Sequence, residues 1–128
     1  MRERISNSID HCIAENDLSA KQHFIVELSD ANQVDVCDGA TDIPLGFLVD
    51  PGQAAGDAVR VSGVGSIVIG IAGGALTAPL NVGTTNAGKL VAKTTDEDWY
   101  IGILLDDAAA DGDEVRVYQT GPLQIASA

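Results

Sequence analysis

The fold is decided by two stretches, Pro44-Leu-Gly-Phe-Leu-Val-Asp-Pro-Gly-Gln-Ala-Ala-Gly-Asp-Ala-Val-Arg-Val61 and Tyr100-Ile-Gly-Ile-Leu-Leu-Asp-Asp-Ala-Ala-Ala-Asp-Gly-Asp-Glu-Val-Arg-Val117. They align without a gap at an offset of 56 residues, and eleven of the 26 positions from 44 to 69 are identical. Chance gives about one or two identities at ordinary residue frequencies. The repeat predicts two copies of one β-unit, spanning roughly 23–69 and 79–125.

Each copy carries the same strand and turn signals. An apolar run at 45–49 or 101–105 is typical of a buried strand, and Gly-Asp closes the loop that follows it. The alternating Val-Arg-Val segment then predicts a half-buried strand. Between the copies, apolar segments flank Gly73-Gly74, which predicts a two-residue hairpin. The predicted fold is all-β, a small barrel or sandwich-like domain built from two similar units.

The start of the chain differs in character from the rest. Residues 1–22 are mostly polar and are predicted to form an extended N-terminal arm on a single β domain of residues 23–128. Ile5, Ile9, Cys12 and Ile13 lie at helical spacing, so a short helix is an alternative. An arm that orders against a partner and a disordered tail both remain open.

Composition excludes several classes of function. The 128 residues contain 7 Lys and Arg against 19 Asp and Glu, a net charge of −12. Such a chain lacks the cations that duplex nucleic acid or an anionic membrane surface requires. Glycines and Pro79 interrupt the uncharged stretch from 61 to 88, which argues against a membrane span. No signal peptide is recognised at the start. Two reduced thiols are favoured over a Cys12–Cys37 disulfide.

The sequence contains no convincing catalytic or metal motif. No G-x-S-x-G pattern is present, and the two histidines, His11 and His23, lie in or beside the arm. His11, Cys12, His23 and Cys37 match no common zinc spacing. Asp107, Asp111, Gly112 and Asp113 resemble a calcium loop, but Tyr118 occupies the twelfth position of that loop, which requires Glu. We predict no catalytic, cofactor or metal residue, and weak calcium binding stays an alternative.

Several motifs of the second copy resemble those of a known family. They are Asn86-Ala-Gly-Lys-Leu-Val91, Ile101-Gly-Ile-Leu-Leu-Asp106, Ala108-Ala-Ala-Asp-Gly-Asp113 and Val115-Arg-Val117. The pattern is similar to that of the small capsid decoration, or cement, proteins of tailed phages. The resemblance implies a structural, non-enzymatic protein without a cofactor. It would lie on the outer capsid surface of the virion, bridge major capsid protein subunits, stabilise the shell and assemble as a homotrimer.

The charged and aromatic residues of the repeat supply candidate contacts. Arg60 and Arg116 are each the sole cation of a strand, so each either pairs with an acidic neighbour or contacts another subunit. Trp99-Tyr100 follows an acidic turn where a strand begins. The candidate shell or subunit contacts are Arg60, Arg116, Ile5, Ile9, Gly73, Gly74, Trp99 and Tyr100.

Two other functions remain as alternatives. The first is a β-barrel ligand-binding or adhesin module displayed on the virion surface, with Trp99, Tyr100 and Tyr118 as its aromatic platform. The second is an enzyme that uses the acidic loops with a metal. The structural interpretation is preferred because it accounts for the missing catalytic constellation, the two-unit β fold and the excess of acidic residues.

Overall fold

The computed structural model describes residues 2–126, which form ten β-strands and no helix, so the predicted all-β fold is confirmed. A closed barrel has the strand order β1-β3-β2-β4-β5, and a second five-stranded sheet has the order β6-β10-β9-β7-β8. The strands are β1 Ser8–Ala14, β2 Ile25–Asp30, β3 Gln33–Val36, β4 Gly46–Asp50, β5 Ala58–Ser62, β6 Ile67–Ile71, β7 Leu80–Thr84, β8 Leu90–Ala92, β9 Trp99–Leu104 and β10 Glu114–Gln124.

The two sheets have the same topology. Around the barrel from β1, the neighbours are β5, β4, β2 and β3, and β3 returns to β1 as a parallel pair. In the second sheet, β6, β10, β9, β7 and β8 follow in the equivalent order. A parallel bridge from Ala72 to Leu90 stands where the β1–β3 pair stands in the barrel. The chain is therefore built from two similar β-units, as predicted.

Equivalent hydrogen bonds extend the similarity to the strands that precede the sequence repeat. The Ala14 N–H donates to the Asp57 carbonyl at 3.0 Å, and the Ala72 N–H donates to the Asp113 carbonyl at 2.8 Å. The Gly56 N–H donates back to Ala14 at 2.9 Å, as the Gly112 N–H does to Ala72 at 2.8 Å. In space, the first unit therefore includes β1 and the second includes β6.

The short helix considered near the start is wrong, because Ser8–Ala14 forms β1. This strand pairs in parallel with β3 and antiparallel with β5. Its pairing with β5 shifts register between Ile9 and Cys12, and His11 has a φ of 64°. A bulge of this kind interrupts the two-residue alternation of a strand. The interruption explains why the apolar residues mimic helical spacing. The boundary at residue 22 stays a prediction.

The hairpin predicted at Gly73-Gly74 is also wrong. β6 pairs with β10, and β7 pairs with β8 and β9, so β6 and β7 are not neighbours. A two-residue hairpin turn needs positive φ at one or both central residues, and neither Gly73 nor Gly74 has it. Instead, the Gly73 N–H donates to the Leu90 carbonyl at 2.9 Å. Tertiary pairing with β8 replaces the local turn.

Two hydrophobic clusters fill the molecule, and one of them belongs to both units. The barrel interior contains residues of β1 to β5 such as Leu48 and Val61, both fully buried. The larger cluster fills the second unit, yet it includes Ile25, Cys37 and Phe47 from the first. Because strand side chains alternate between faces, Leu48 points into the barrel while Phe47 packs against the second unit.

A buried polar network also joins the two units. The Ser62 hydroxyl donates to the Gln119 side-chain oxygen and accepts the Phe47 N–H at 2.9 Å. The Gln119 amide donates to the Gly121 carbonyl at 3.1 Å. Ser62 and Gln119 are 0% and 1% exposed, so the hydroxyl proton of Ser62 and the side-chain oxygen of Gln119 pair with each other away from water. The units share polar contacts as well as an apolar core.

The repeated glycines Gly46 and Gly102 mark the close approach of neighbouring strands. A Cβ at Gly46 would lie 2.3 Å from the Ser62 carbonyl oxygen, and one at Gly102 would lie 2.3 Å from that of Tyr118. These distances are far below van der Waals contact, and the obstructing atoms are backbone. Both positions therefore require glycine, and this explains their identity in the repeat.

Candidate interaction surfaces

The two equivalent arginines have different surroundings. Arg116 makes a bidentate pair with Asp106, through Nε and one terminal nitrogen at 2.9 Å each. Hydrogen bonding to the Arg116 side chain holds the pKa of Asp106 below its usual range. Arg60 has a single looser contact, 3.5 Å from its Nε to Asp10. An acidic neighbour therefore exists at both positions, while Arg60 keeps donors for another partner. A role in subunit contact stays a prediction for both.

The N-terminal residues pack along the second unit. Arg4 and Ile67 form an antiparallel bridge, and a carboxylate oxygen of Glu3 accepts the Ile69 N–H at 2.9 Å. The Ser66 hydroxyl accepts the N–H groups of Ser6 at 3.0 Å and of Asn7 at 3.2 Å. This segment therefore has partners within its own chain.

The candidate isoleucines Ile5 and Ile9 have different environments. Ile5 is partly buried against the shared cluster, whereas Ile9 on β1 is 39% exposed. Ile9 pairs with Val61 next to Arg60, so the structure brings Ile9 and Arg60 to one region of the β1–β5 pair. Of the two isoleucines, Ile9 offers more surface to a partner.

The remaining candidate contacts lie on the second unit. Gly73 and Gly74 follow β6, and Trp99 and Tyr100 begin β9. The turn before β9 is held by Asp98, whose carboxylate accepts the Thr95 N–H at 3.3 Å. Asp42, at the equivalent place in the first unit, accepts the N–H of Gly39 at 2.9 Å. Both aromatic residues are half-buried. Their contact role stays a prediction.

An exposed apolar groove was not predicted from the sequence. It has a volume of about 390 Å³ and is lined by residues of β2, of the segment before β4 and of β10. Leu28 and Ile43 at its mouth are 57% and 56% exposed. We call it the β2–β4 groove, and its lining residues are Glu27, Leu28, Asp42, Ile43, Pro44, Leu45 and Pro122. The sequence did not indicate the groove because Pro122 is far along the chain from its other lining residues. In addition, the two-residue alternation of β2 places Leu28 on the same face as the buried Val26, which predicts a buried side chain at Leu28.

Two carboxyl groups on the rim of the groove interact strongly. Burial comes first among the causes that raise the pKa of Glu27 to about 7; the hydrogen bond that its protonated carboxyl group donates to Asp42 and the negative charge of Asp42 follow. The pKa of Asp42 is lowered, although burial opposes this, because hydrogen bonds from Glu27 and from the turn favour its charged form. At neutral pH this rim is a concentrated and partly protonated acidic site.

The same corner supplies the metal-capable group of the described residues. One ligand atom each from Glu27, Cys37 and Asp42 lie within 4.8 Å of one another. Of His11, Cys12, His23 and Cys37, the side chains that could bind zinc, only Cys37 belongs to this group. Burial raises the pKa of the Cys37 thiol to about 12, and a metal ligand must be a thiolate. The arrangement favours proton sharing between carboxyls. Both cysteines are free and buried, in different clusters.

The acids that resembled a calcium loop have partners within the chain. The Asp113 carboxylate accepts the N–H groups of Ala109 at 2.8 Å and Ala110 at 3.1 Å. Asp111 pairs with Lys89 at 2.9 Å, and Asp107 accepts the Ala78 N–H at 2.8 Å.

No helix in the described part of the chain is long and apolar enough to cross a membrane.

The fold and its surfaces define a class of protein: a tandem pair of five-stranded β-units with a fused core. No family model and no curated protein matches the chain. Among solved structures it is similar to the head fiber gp8.5 N base of bacteriophage phi29. The TM-score is 0.67 at 16% identity, over 94% of this chain and 98% of that chain. At this identity the comparison shows a common fold.

Proposed function

We propose that this protein is a structural component of a phage virion that attaches to the outside of the head. One observation carries the proposal: its fold matches the phi29 head fiber base over nearly the whole length of both chains. That protein is named as the base of a fiber on a phage head. Coverage of this extent compares complete folds rather than one shared motif.

The finer proposal is a cement role. The protein would bind the assembled capsid, bridge major capsid protein subunits and stabilise them against internal pressure. The sequence motifs of decoration proteins support this, as does the charge of −12, which suits a surface facing away from DNA. The proposal includes no enzymatic activity.

The finer proposal also includes a homotrimer. Two similar units in each of three chains would place six comparable units around one axis, which suits a pseudo-hexagonal site on a shell. Attachment at several points would then strengthen binding through avidity.

The decisive experiment adds purified protein to heads that lack it. Co-sedimentation should show saturable binding, and the melting temperature of the loaded heads should rise. Light scattering of the free protein should give three times the chain mass. Heads that bind nothing would contradict attachment, and heads that bind without a change in melting would contradict the cement role alone.

The equivalent arginines offer a matched pair for the same assay. Arg60 keeps unused donors, whereas Arg116 is held bidentately by Asp106. Arg60→Gln should therefore weaken attachment or trimer formation more than Arg116→Gln does. Equal effects would remove Arg60 from the list of contacts.

A further inference from the structure

The β2–β4 groove combines exposed apolar surface with an acidic rim. Leu28 and Ile43 are each more than half exposed, and they lie over a floor that includes the buried Pro44. Large apolar side chains exposed beside one another over a concave floor are typical of interaction sites. An occupant that covered both would remove their apolar surface from water.

Within residues 2–126, the acidic rim forms no ion pair with an arginine or a lysine. Among residues 2–126, the ion pairs of arginine and lysine join Arg60 to Asp10, Lys89 to Asp111 and Arg116 to Asp106. None reaches Glu27 or Asp42.

Among residues 2–126, the buried Lys93 forms no ion pair with the rim, and its ammonium group binds to the loop that precedes Asp42. It donates to the Ala40 carbonyl at 2.7 Å. Two further carboxylates, Asp35 and Asp38, act on Glu27 with the same sign as Asp42. Glu27 therefore experiences the negative charge of three neighbouring carboxylates, and no ion pair of the described arginines and lysines includes it.

Charge argues against a second copy of this chain as the occupant. Each copy carries −12, with 7 cations against 19 acids. Two such surfaces repel each other unless cations are concentrated at the contact. Three of the seven cations are already committed to acids of their own chain. The occupant that complements the groove carries positive charge.

We propose that the β2–β4 groove docks a basic segment of another protein, which inserts an aliphatic side chain between Leu28 and Ile43 and places a lysine or arginine on Glu27 and Asp42. The inference rests on the proposed function, under which that other protein is the major capsid protein. It identifies the face that meets the shell. A cation beside two coupled carboxyls would remove the need for them to share a proton.

The apolar part of the proposal is tested with two matched exposed residues. Ile43→Ser changes the groove, and Val64→Ser changes a residue of nearly equal exposure, 54% against 56%, outside it. The probe is heads that lack the protein, and the readout is the dissociation constant from co-sedimentation. Ile43→Ser should weaken binding about tenfold or more, and Val64→Ser should leave it unchanged. Both variants should melt like the wild type, because both side chains are exposed.

The charge part uses a second matched pair. Glu27→Lys reverses the rim, and Glu97→Lys reverses an exposed acid on the turn before β9. Glu27→Lys should weaken binding, and its binding should fall less steeply with added salt than that of the wild type. Glu97→Lys changes the net charge by the same amount as Glu27→Lys but lies outside the groove. It should therefore keep the salt dependence of the wild type.

The outcomes separate this inference from the proposed function. Wild-type protein that binds heads together with Ile43→Ser of equal affinity overturns the groove and leaves attachment intact. Wild-type protein that does not bind heads overturns both. A change in oligomeric mass confined to Ile43→Ser assigns the groove to a second copy and also overturns the inference.

Discussion

Phe47 is the residue by which the fusion of the two units can be tested. It lies on β4 of the barrel, is 1% exposed and packs in the cluster of the second unit. A Cβ built on Gly70 would lie 2.9 Å from its ring, so the ring edge lies directly against the backbone of β6. Phe47→Ala leaves a cavity between two sheets that cannot collapse easily. Such truncations cost about 3–5 kcal/mol, and we expect the upper half of that range.

The predicted loss is large enough to read from a melting curve. At about 4 °C per kcal/mol for a chain of this size, the melting temperature should fall by about 16–20 °C. Trp99 is the single tryptophan and lies in the second unit, so its fluorescence reports on that unit alone. Circular dichroism reports on both. If the shared core makes unfolding cooperative, the two signals should fall together in one transition.

Leu48→Ala provides the matched comparison. Leu48 is the next residue of β4, is fully buried and packs only inside the barrel. Its truncation should cost about 2–5 kcal/mol and should also lower the Trp99 transition, because cooperative unfolding transmits the loss. A Trp99 transition that stays at the wild-type temperature in either variant would refute the fused core.

Three further predictions concern buried polar and titratable groups. The pKa of Glu27 is about 7 in the folded protein, above its unfolded value of 4.5. Its contribution to stability is therefore complete below about pH 4.5 and is lost as the pH rises through 7. In melting curves recorded between about pH 5 and 8, Glu27→Gln should reduce the fall in melting temperature that the wild type shows. Gln119→Leu removes the acceptor of the Ser62 hydroxyl proton and should therefore lower the free energy of unfolding by about 1–3 kcal/mol. An unchanged midpoint of chemical denaturation would contradict the network. Cys12 and Cys37 should react with a thiol reagent only as the protein unfolds, since both are buried; rapid labelling of the native protein would contradict their placement.

The repeat made the central strands predictable because their signals are local. Gly-Asp turns are followed by an alternating strand in both copies, and β5 and β10 begin at Ala58 and Glu114, directly after them. Gly46 and Gly102 are identical in the repeat because the backbone of the neighbouring strand lies so close that only glycine fits. Turns, alternating strands and obligatory glycines of this kind can be predicted from one sequence.

Other elements depend on contacts that local patterns do not record. β1 was missed because a bulge near His11 disturbs its alternation and because its partners, β3 and β5, are distant in sequence. The Gly73-Gly74 dipeptide satisfied the local rule for a hairpin, but Leu90 takes the hydrogen bond. The β2–β4 groove draws Pro122 next to Ile43, and no window of sequence contains both.

Closure of the barrel has a consequence for the many copies that the proposed cement role implies. The first and last strands of an open sheet leave unpaired backbone groups that can recruit another chain and start aggregation. Here β1 joins β5 on one side and β3 on the other, which completes the ring. In the second unit, which is an open five-stranded sheet, a single bridge from Ala72 to Leu90 links the chain just beyond β6 to β8. Where copies lie side by side on a shell, as the proposed function has it, the closed barrel would meet its neighbours through side chains, and strand exchange through this unit would be suppressed by the fold itself.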